Sequence, residues 1–428
     1  MKCVSALVVI AVGQRTTQAA SGSEGWASVR EELRRSIREG YPAAVGREEA
    51  RGYAWQMLHE FRSMFVLNYK KRLYASAGHA SMAKHKVHYF FSMLLSMRAL
   101  PNFMATWDVG ARGTECAKTV GTRAPCLVIA KVDGYQQSGV LVPNPYFAHI
   151  DEWDARARTW GATPFERRDP RVFWRGAVNP HCSSGNAARL AALEIASRHP
   201  KLFDVKWTAF DPPRCNEIDV VADLKSAQGA FVAVSNFSRY AALLNLPGTM
   251  GGSYSRNLNY LWPQGAAILL WNSKAVEWYY PALRNGETHL GVDRGSLAAA
   301  AATLVRDATI LQNLRARATR VFGSFLCGKC LERYWSDLVE ALRAHFRFDL
   351  VLDDDAQLKN LLVGLDCDDL RSIDLGNWSS FYDDTHATPH TGHPCVYSRL
   401  DDTDPLYALC RAAQLDDVTS SEISSIVR

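Results

Sequence analysis

The sequence predicts an α/β fold divided into two or three domains, and three observations carry that expectation. The chain has 428 residues, enough for more than one hydrophobic core. Its composition, 47% hydrophobic and 22% charged, is that of a globular protein. One pattern also occurs twice: an apolar strand, a loop of small residues, a helix with an arginine near its start, then another apolar strand.

The second copy of that pattern organises the chain. An apolar run over 240–246 ends at Pro247-Gly248, and the loop that follows carries Gly251, Gly252, Ser253, Tyr254 and Ser255. A helical pattern then begins at Arg256, is broken by Pro263-Gln264-Gly265, and gives way to an apolar strand over 266–271. A helix N-terminus presents unpaired N–H groups and the positive end of its dipole, so this geometry suits an anion, usually a phosphate. Arg256 would add a charge-assisted contact. An ordinary βαβ turn with a solvated arginine fits the same pattern. The first copy runs from the strand Val172-Phe173-Trp174 through Arg175-Gly176-Ala177 to a helix over 186–198 carrying Arg189, then a strand over 202–207. Two such units could aim two helix starts and two guanidiniums at one diphosphate.

The remaining elements follow in order. Residues 1–20, with Lys2 and a short apolar core, resemble a secretory signal peptide; a buried N-terminal strand or a ragged gene start would read alike. That core is shorter than the roughly 20 residues a membrane span needs, and no other segment reaches the length. A soluble protein of the secretory-pathway lumen, or a secreted one, is expected. Residues 23–73 read as helical, with Trp55, Leu58, Phe61 and Phe65 on one core-facing side. Val87, Phe90, Phe91, Leu94 and Leu95 mark a second amphipathic helix, with His85 and His88 near its solvated side.

Residues 102–108 read as a strand ending in Asp108. Carboxyl ends of strands open onto the ligand crevice of α/β sheets, which places Asp108 well for chemistry; a loop-capping aspartate reads the same. A buried strand is expected over 126–132 and an extended, proline-stiffened segment over 141–147. Residues 151–170 look like a polar connection between domains. One long helix is expected over 297–322 and another over 331–346. Beyond 350 the chain turns acidic (Asp353, Asp354, Asp355, Asp366, Asp368, Asp369), and a weakly folded tail is expected. His386, His390, His393 and Cys395 match no known metal spacing.

A net charge of +5 is mild, with no basic block for nucleic acid, yet it tolerates an anionic substrate. Beyond Cys3 the cysteines are Cys116, Cys126, Cys182, Cys215, Cys327, Cys330, Cys367, Cys395 and Cys410, which in a secreted protein read as several disulfides with one thiol left over. The CxxC of Cys327 and Cys330 follows a helix and has no second CxxC, so it is read as structural. Of two glycosylation triplets, at Asn236 and Asn377, the second is the better acceptor, because Asn236 lies beside a predicted buried strand.

VFWRG (172–176), HPKLFDVKWT (199–208), NLPGTMGGSYSRNLNYL (245–261) and EWYYPAL (277–283) stand in an order and spacing that resemble the CAP10-like glycosyltransferases of family 90, which include the Rumi-type protein O-glucosyltransferases. LPNFMATWD (100–108) and APCLVIAKVDGYQQSGVLVPNPYF (124–147) are similar to that family's catalytic strand and acceptor-side segment. The resemblance implies a GT-B fold, two Rossmann-like domains facing a central cleft, with the acidic tail appended. It divides the chain into 1–20, an acceptor-side domain over 21–165, a nucleotide-sugar domain over 166–350, and a tail over 351–428. It also implies inverting transfer of glucose or xylose from a UDP-sugar to a hydroxyl of a protein or glycan, by a monomer without a resident cofactor or required metal. By motif, Asp108 matches the general base. Arg175, Gly176, Ala177, Arg189 and Gly251 to Arg256 match the UDP-sugar side, and Pro143, Asn144, Tyr146 and Phe147 the acceptor side. Pro247 stands where the family carries an acidic residue, and Ala177-Val178-Asn179 replaces a Ser/Thr-rich loop. The chain finishes Ser-Ile-Val-Arg, not in an ER-retrieval signal. A non-catalytic carbohydrate- or nucleotide-binding protein that kept the fold is the competing reading.

Overall fold

The computed structural model describes residues 22–41, 64–76, 85–108, 125–211, 213–214, 224–248, 256–345, 367–375 and 395–414. The signal-like segment, Trp55, Leu58, Phe61, Cys116, Cys215, Asp353 to Asp355, Asp366, Asn377, His386, His390 and His393 lie outside them. In chain order come α1 (Gly22–Gly40), β1 (Met64–Tyr69), β2 (Arg72–Ser76), α2 (His85–Leu95), β3 (Phe103–Asp108), β4 (Cys126–Val128), β5 (Val140–Leu141) and α3 (Ile150–Trp160). Then follow β6 (Asp169–Val178), α4 (Ser184–Arg198), β7 (Phe203–Phe210), β8 (Tyr240–Asn245), α5 (Arg256–Leu261), β9 (Ala267–Trp271) and β10 (Leu290–Val292). The described chain closes with α6 (Leu297–Arg306), α7 (Ala308–Val321), α8 (Gly328–His345), β11 (Leu370–Leu375), β12 (Cys395–Arg399) and a last helix, α9, over 405–414. The α/β expectation is met with two sheets, one of seven strands in the order β12-β11-β2-β1-β3-β4-β5 and one of five in the order β10-β9-β8-β6-β7.

The five-stranded sheet is parallel throughout, and its strands alternate as a sheet covered on both faces must. Val172, Trp174, Ala242, Leu244, Ala267 and Leu269 face one core with Leu190 and Leu193 of α4 and Leu297 and Leu304 of α6. The residues between them, Phe173, Leu243 and Ile268, join a second core with Phe237, Leu258, Leu261 and Trp262. That second core runs on without a break beneath the seven-stranded sheet.

The seven-stranded sheet departs from a purely parallel, Rossmann-like design. Only β3, β4 and β5 run parallel; β1 is antiparallel to both β2 and β3. The helix expected through residue 73 is therefore replaced by a hairpin. Its two loop residues, Lys70 and Lys71, both sit at positive φ (48° and 63°), as a tight two-residue turn requires. The sequence misleads here because Val66, Leu67, Tyr69, Leu73, Tyr74 and Ala75 are all buried, and a continuous apolar run does not separate strand from helix.

Four further expectations are corrected. The long helix over 297–322 is broken at Asp307, whose carboxylate accepts the Thr309 and Ile310 amides (2.9 and 3.0 Å) and so starts α7 afresh. The supposed polar connection folds as α3, whose Trp153 and Trp160 are buried. His88 is buried against the edge of Tyr397 on β12, not solvated. The acidic tail is folded over 367–375 and 395–414. β11 pairs antiparallel with β2, β12 pairs with β11, and Cys367–Cys410 ties the start of β11 to α9. Its net charge hid Leu370 and Ile373, both buried, which seat β11 on the core.

After the second sheet α8 returns to the first. The Tyr334 hydroxyl donates to the Leu141 carbonyl (2.5 Å), Trp335 packs on Phe90 and Phe103, and Asp337 pairs with Arg30 of α1 (2.7 Å).

Candidate functional site

In the order β7-β6-β8-β9-β10, consecutive crossovers leave β6 in opposite directions, so the switch point lies between β6 and β8. In open α/β sheets the ligand crevice opens there, outside the carboxyl ends of the strands. The side chain that fills this position is Arg189, from α4. Nη1 donates to the Ala177 carbonyl at the end of β6, while Nε and Nη2 donate to the Pro247 carbonyl just past β8 (3.0 and 2.9 Å). The guanidinium also lies over the Trp174 ring, 5.6 Å from its centroid. Gly176 permits that stacking, because a Cβ there would meet Trp174 Cζ2 at 2.4 Å.

No carboxylate among the described residues forms an ion pair with Arg189. Burial alone pulls its pKa down from the usual arginine value to about 10, so it stays charged at neutral pH. Three of its N–H groups are taken by carbonyls, and among the described residues no acceptor takes the rest. The loop before α4 is held in place by Asn186, fully buried, whose Nδ2 donates to the Asn179 and His181 carbonyls (2.6 and 2.7 Å). Ser183 caps the helix by accepting the Asn186 amide (3.1 Å).

Beside Pro247 opens a cavity of about 320 Å³, the size of a small-molecule site. Asn245 and Pro247 at the end of β8, Asn272 past β9, and Asn285 and His289 before β10 form much of its wall, and Tyr135 enters from the segment after β4. Asn245 is 3% exposed, and its Oδ1 has no hydrogen-bond partner among the described residues. A buried, unmatched carboxamide oxygen is a cost that a ligand N–H would relieve. Burial pushes the pKa of His289 down to about 4, so its ring is neutral; Nδ1 lies 3.0 Å from the Thr288 hydroxyl.

The first sheet reaches this cavity through main chain. Asp108, 2% exposed, ends β3 opposite Val128 of β4. Shortly beyond, Lys131 exchanges backbone hydrogen bonds with Val276 (3.1 and 2.8 Å), and Val276 lines the cavity. The Lys131 ammonium is buried, with its pKa lowered to about 8 by burial, and donates to Ser36 Oγ (3.2 Å).

The sequence-derived candidates fare unequally. Arg189 and Ala177 meet at the switch point. Arg175 does not join them: its guanidinium pairs with Asp204 (2.8 Å), both side chains 9% exposed, and donates to the Asp204 and Trp174 carbonyls. It is a framework residue of the sheet. Pro143, Asn144, Tyr146 and Phe147 are buried in the core and not in an open acceptor wall. Asn144 caps the turn Pro145–Phe147 by accepting the Tyr146 amide (3.0 Å), and Phe147 packs edge-on against Trp153. Gly251, Gly252, Ser253, Tyr254 and Ser255 lie outside the described residues, as does the Arg256 side chain. Sequence reasoning missed Asn245, His289 and Tyr135. Only Asn245 carried a usable signal, as a polar residue closing an apolar strand beside Pro-Gly.

No protein-family model matches the chain, and no curated protein does. Among solved structures, the pneumococcal O-GlcNAc transferase GtfA, in complex with UDP and GlcNAc, aligns at 15% identity with a TM-score of 0.29. The alignment covers 41% of this chain and 37% of that one. Likeness at this level bears on neither fold nor chemistry.

Proposed function

We propose that the chain is a glycosyltransferase that takes a sugar, glucose or xylose, from a UDP-sugar and transfers it with inversion to a hydroxyl of a protein or glycan. The observation that carries this reading is Arg189, a cation with no carboxylate partner among the described residues, set at the switch point beside the cavity that holds the unmatched Oδ1 of Asn245. The guanidinium suits a diphosphate, and the carboxamide suits the N–H of a nucleobase edge. The sequence resemblance supplies the choice of donor and the inverting course.

In this reading the diphosphate sits against Arg189 and the start of α4, and the base enters the cavity. Asp108 accepts the acceptor's hydroxyl proton as that oxygen attacks the anomeric carbon and the bond to the diphosphate breaks on the opposite face. General-base help of this kind is worth ~10²–10⁴ in rate. Arg189 stabilises the charge that grows on the leaving diphosphate without having to move.

Asp108→Asn tests the assignment, since it keeps shape and removes the proton acceptor. Turnover in a UDP-sugar transfer assay is expected to fall at least ~10²-fold while calorimetric UDP affinity holds. Turnover at the parental rate would place the base elsewhere. UDP binding without transfer from any UDP-sugar, by the parent chain, would leave a nucleotide-binding protein in place of an enzyme.

A further inference from the structure

Cys327 and Cys330 form a disulfide at the start of α8. The two sulfurs are unequal: Cys327 is partly exposed, whereas Cys330 is 8% exposed within the core. The Cys330 amide donates to Cys327 Sγ (3.2 Å), and the exposed Lys329 stands between the two cysteines. A helix start of this kind stabilises an anionic sulfur through its N–H groups and dipole. At the same helix start Asp154 Oδ1 accepts the Gly328 amide (2.9 Å), and burial holds its carboxyl above the usual aspartate range.

The bond also does little for the fold. It closes a loop with a sequence separation of 3, against 43 for Cys367–Cys410, and short loops constrain an unfolded chain weakly. The turn that precedes it is already gripped by two indoles: Trp26 Nε1 donates to the Ser324 carbonyl (3.0 Å) and Trp153 Nε1 to the Leu326 carbonyl (2.7 Å).

We propose that Cys327 and Cys330 are a thiol–disulfide exchange site whose partner is a thiol or dithiol. The partner's thiolate attacks Cys327 Sγ, forming a mixed disulfide and breaking the bond to Cys330. The electron pair leaves on Cys330 Sγ, which takes a proton and, as a thiol, can donate to the Gly323 carbonyl 3.5 Å away. A second partner thiolate then attacks the partner sulfur of the mixed disulfide and releases Cys327 as a thiolate. Two electrons and one proton have reached the chain, a second proton follows from solvent if the Cys327 thiolate is protonated, and the partner is oxidised to its disulfide.

The test equilibrates the full chain in graded mixtures of reduced and oxidised glutathione, quenches with acid, alkylates and maps the peptides by mass. Cys327 and Cys330 are expected to become alkylatable at a ratio where Cys367–Cys410 remains intact and far-ultraviolet circular dichroism is unchanged. In Cys330→Ser a stable glutathione adduct is expected on Cys327. Reduction of Cys327–Cys330 only together with Cys367–Cys410, or only in denaturant, would overturn the proposal, and so would failure of Cys330→Ser to hold the adduct.

Discussion

Arg189→Met separates an anion seat from a structural pin. The substitution keeps the length of the side chain but removes three N–H donations and the charge, leaving the Ala177 and Pro247 carbonyls unmatched. Two unsatisfied carbonyls cost about 2–6 kcal/mol of stability, taking ~1–3 kcal/mol for each. If the guanidinium also holds a diphosphate, losing one charged hydrogen bond removes ~1.5–3 kcal/mol of binding, or roughly 10- to 150-fold in Kd. The comparison is Arg175→Met, which breaks the buried pair with Asp204 and is expected to destabilise by ~3–5 kcal/mol while leaving UDP affinity near parental. Arg189→Lys restores the charge but spans both carbonyls poorly, so its affinity should fall between the two. Titration calorimetry with UDP, on samples shown by circular dichroism to be folded, reads all three. Parental affinity in folded Arg189→Met, or an equal loss in Arg175→Met, would refute the reasoning.

Other outcomes follow from the same geometry. Gly176→Ala places a Cβ 2.4 Å from Trp174, so the indole must shift; a loss of ~1–3 kcal/mol in urea melts and weaker UDP binding are expected. His289 is neutral when folded and titrates near 4, against about 6.5 when unfolded. Between those values the unfolded chain holds the extra proton, so stability should fall by up to ~3 kcal/mol as pH drops from 6.5 to 4, and His289→Gln should flatten that slope. Cys410→Ser opens the Cys367–Cys410 loop and should cost ~2–5 kcal/mol, read by calorimetric melting.

The second sheet was legible in the sequence because β8 and β9 are apolar runs flanked by Pro247-Gly248 and Gly265, and β6 carries the apolar run Val172-Phe173-Trp174, as strands buried on both faces do. Arg189 was legible for the same reason, since a strand, a small-residue loop and a helix fix where its side chain emerges. The role of Arg175 in the sheet was not legible, because nothing local announces its pairing with Asp204, which stands opposite Phe173 on the neighbouring strand. The cavity was invisible for a related reason. Tyr135, Asn245 and His289 are far apart in the chain and meet only when β4, β8 and β10 are in place. The tail was misread because composition averages over residues, whereas β11 is seated by two apolar side chains and a ladder.

The contrast between Arg175 and Arg189 says most about how the site is built. Both guanidiniums are withdrawn from water around the same strand, β6, and both donate to backbone carbonyls. One has a carboxylate across the sheet; for the other, no described carboxylate serves. A fold indifferent to ligands gains nothing from leaving a cation so placed, since carbonyl dipoles offset only part of its lost hydration. The arginine with no carboxylate partner among the described residues is the one at the switch point, where an incoming anion can reach it, and the paired one lies back within the sheet. An anion from outside the chain can supply the charge that no described carboxylate does, and bound UDP should then return stability as well as occupy the site.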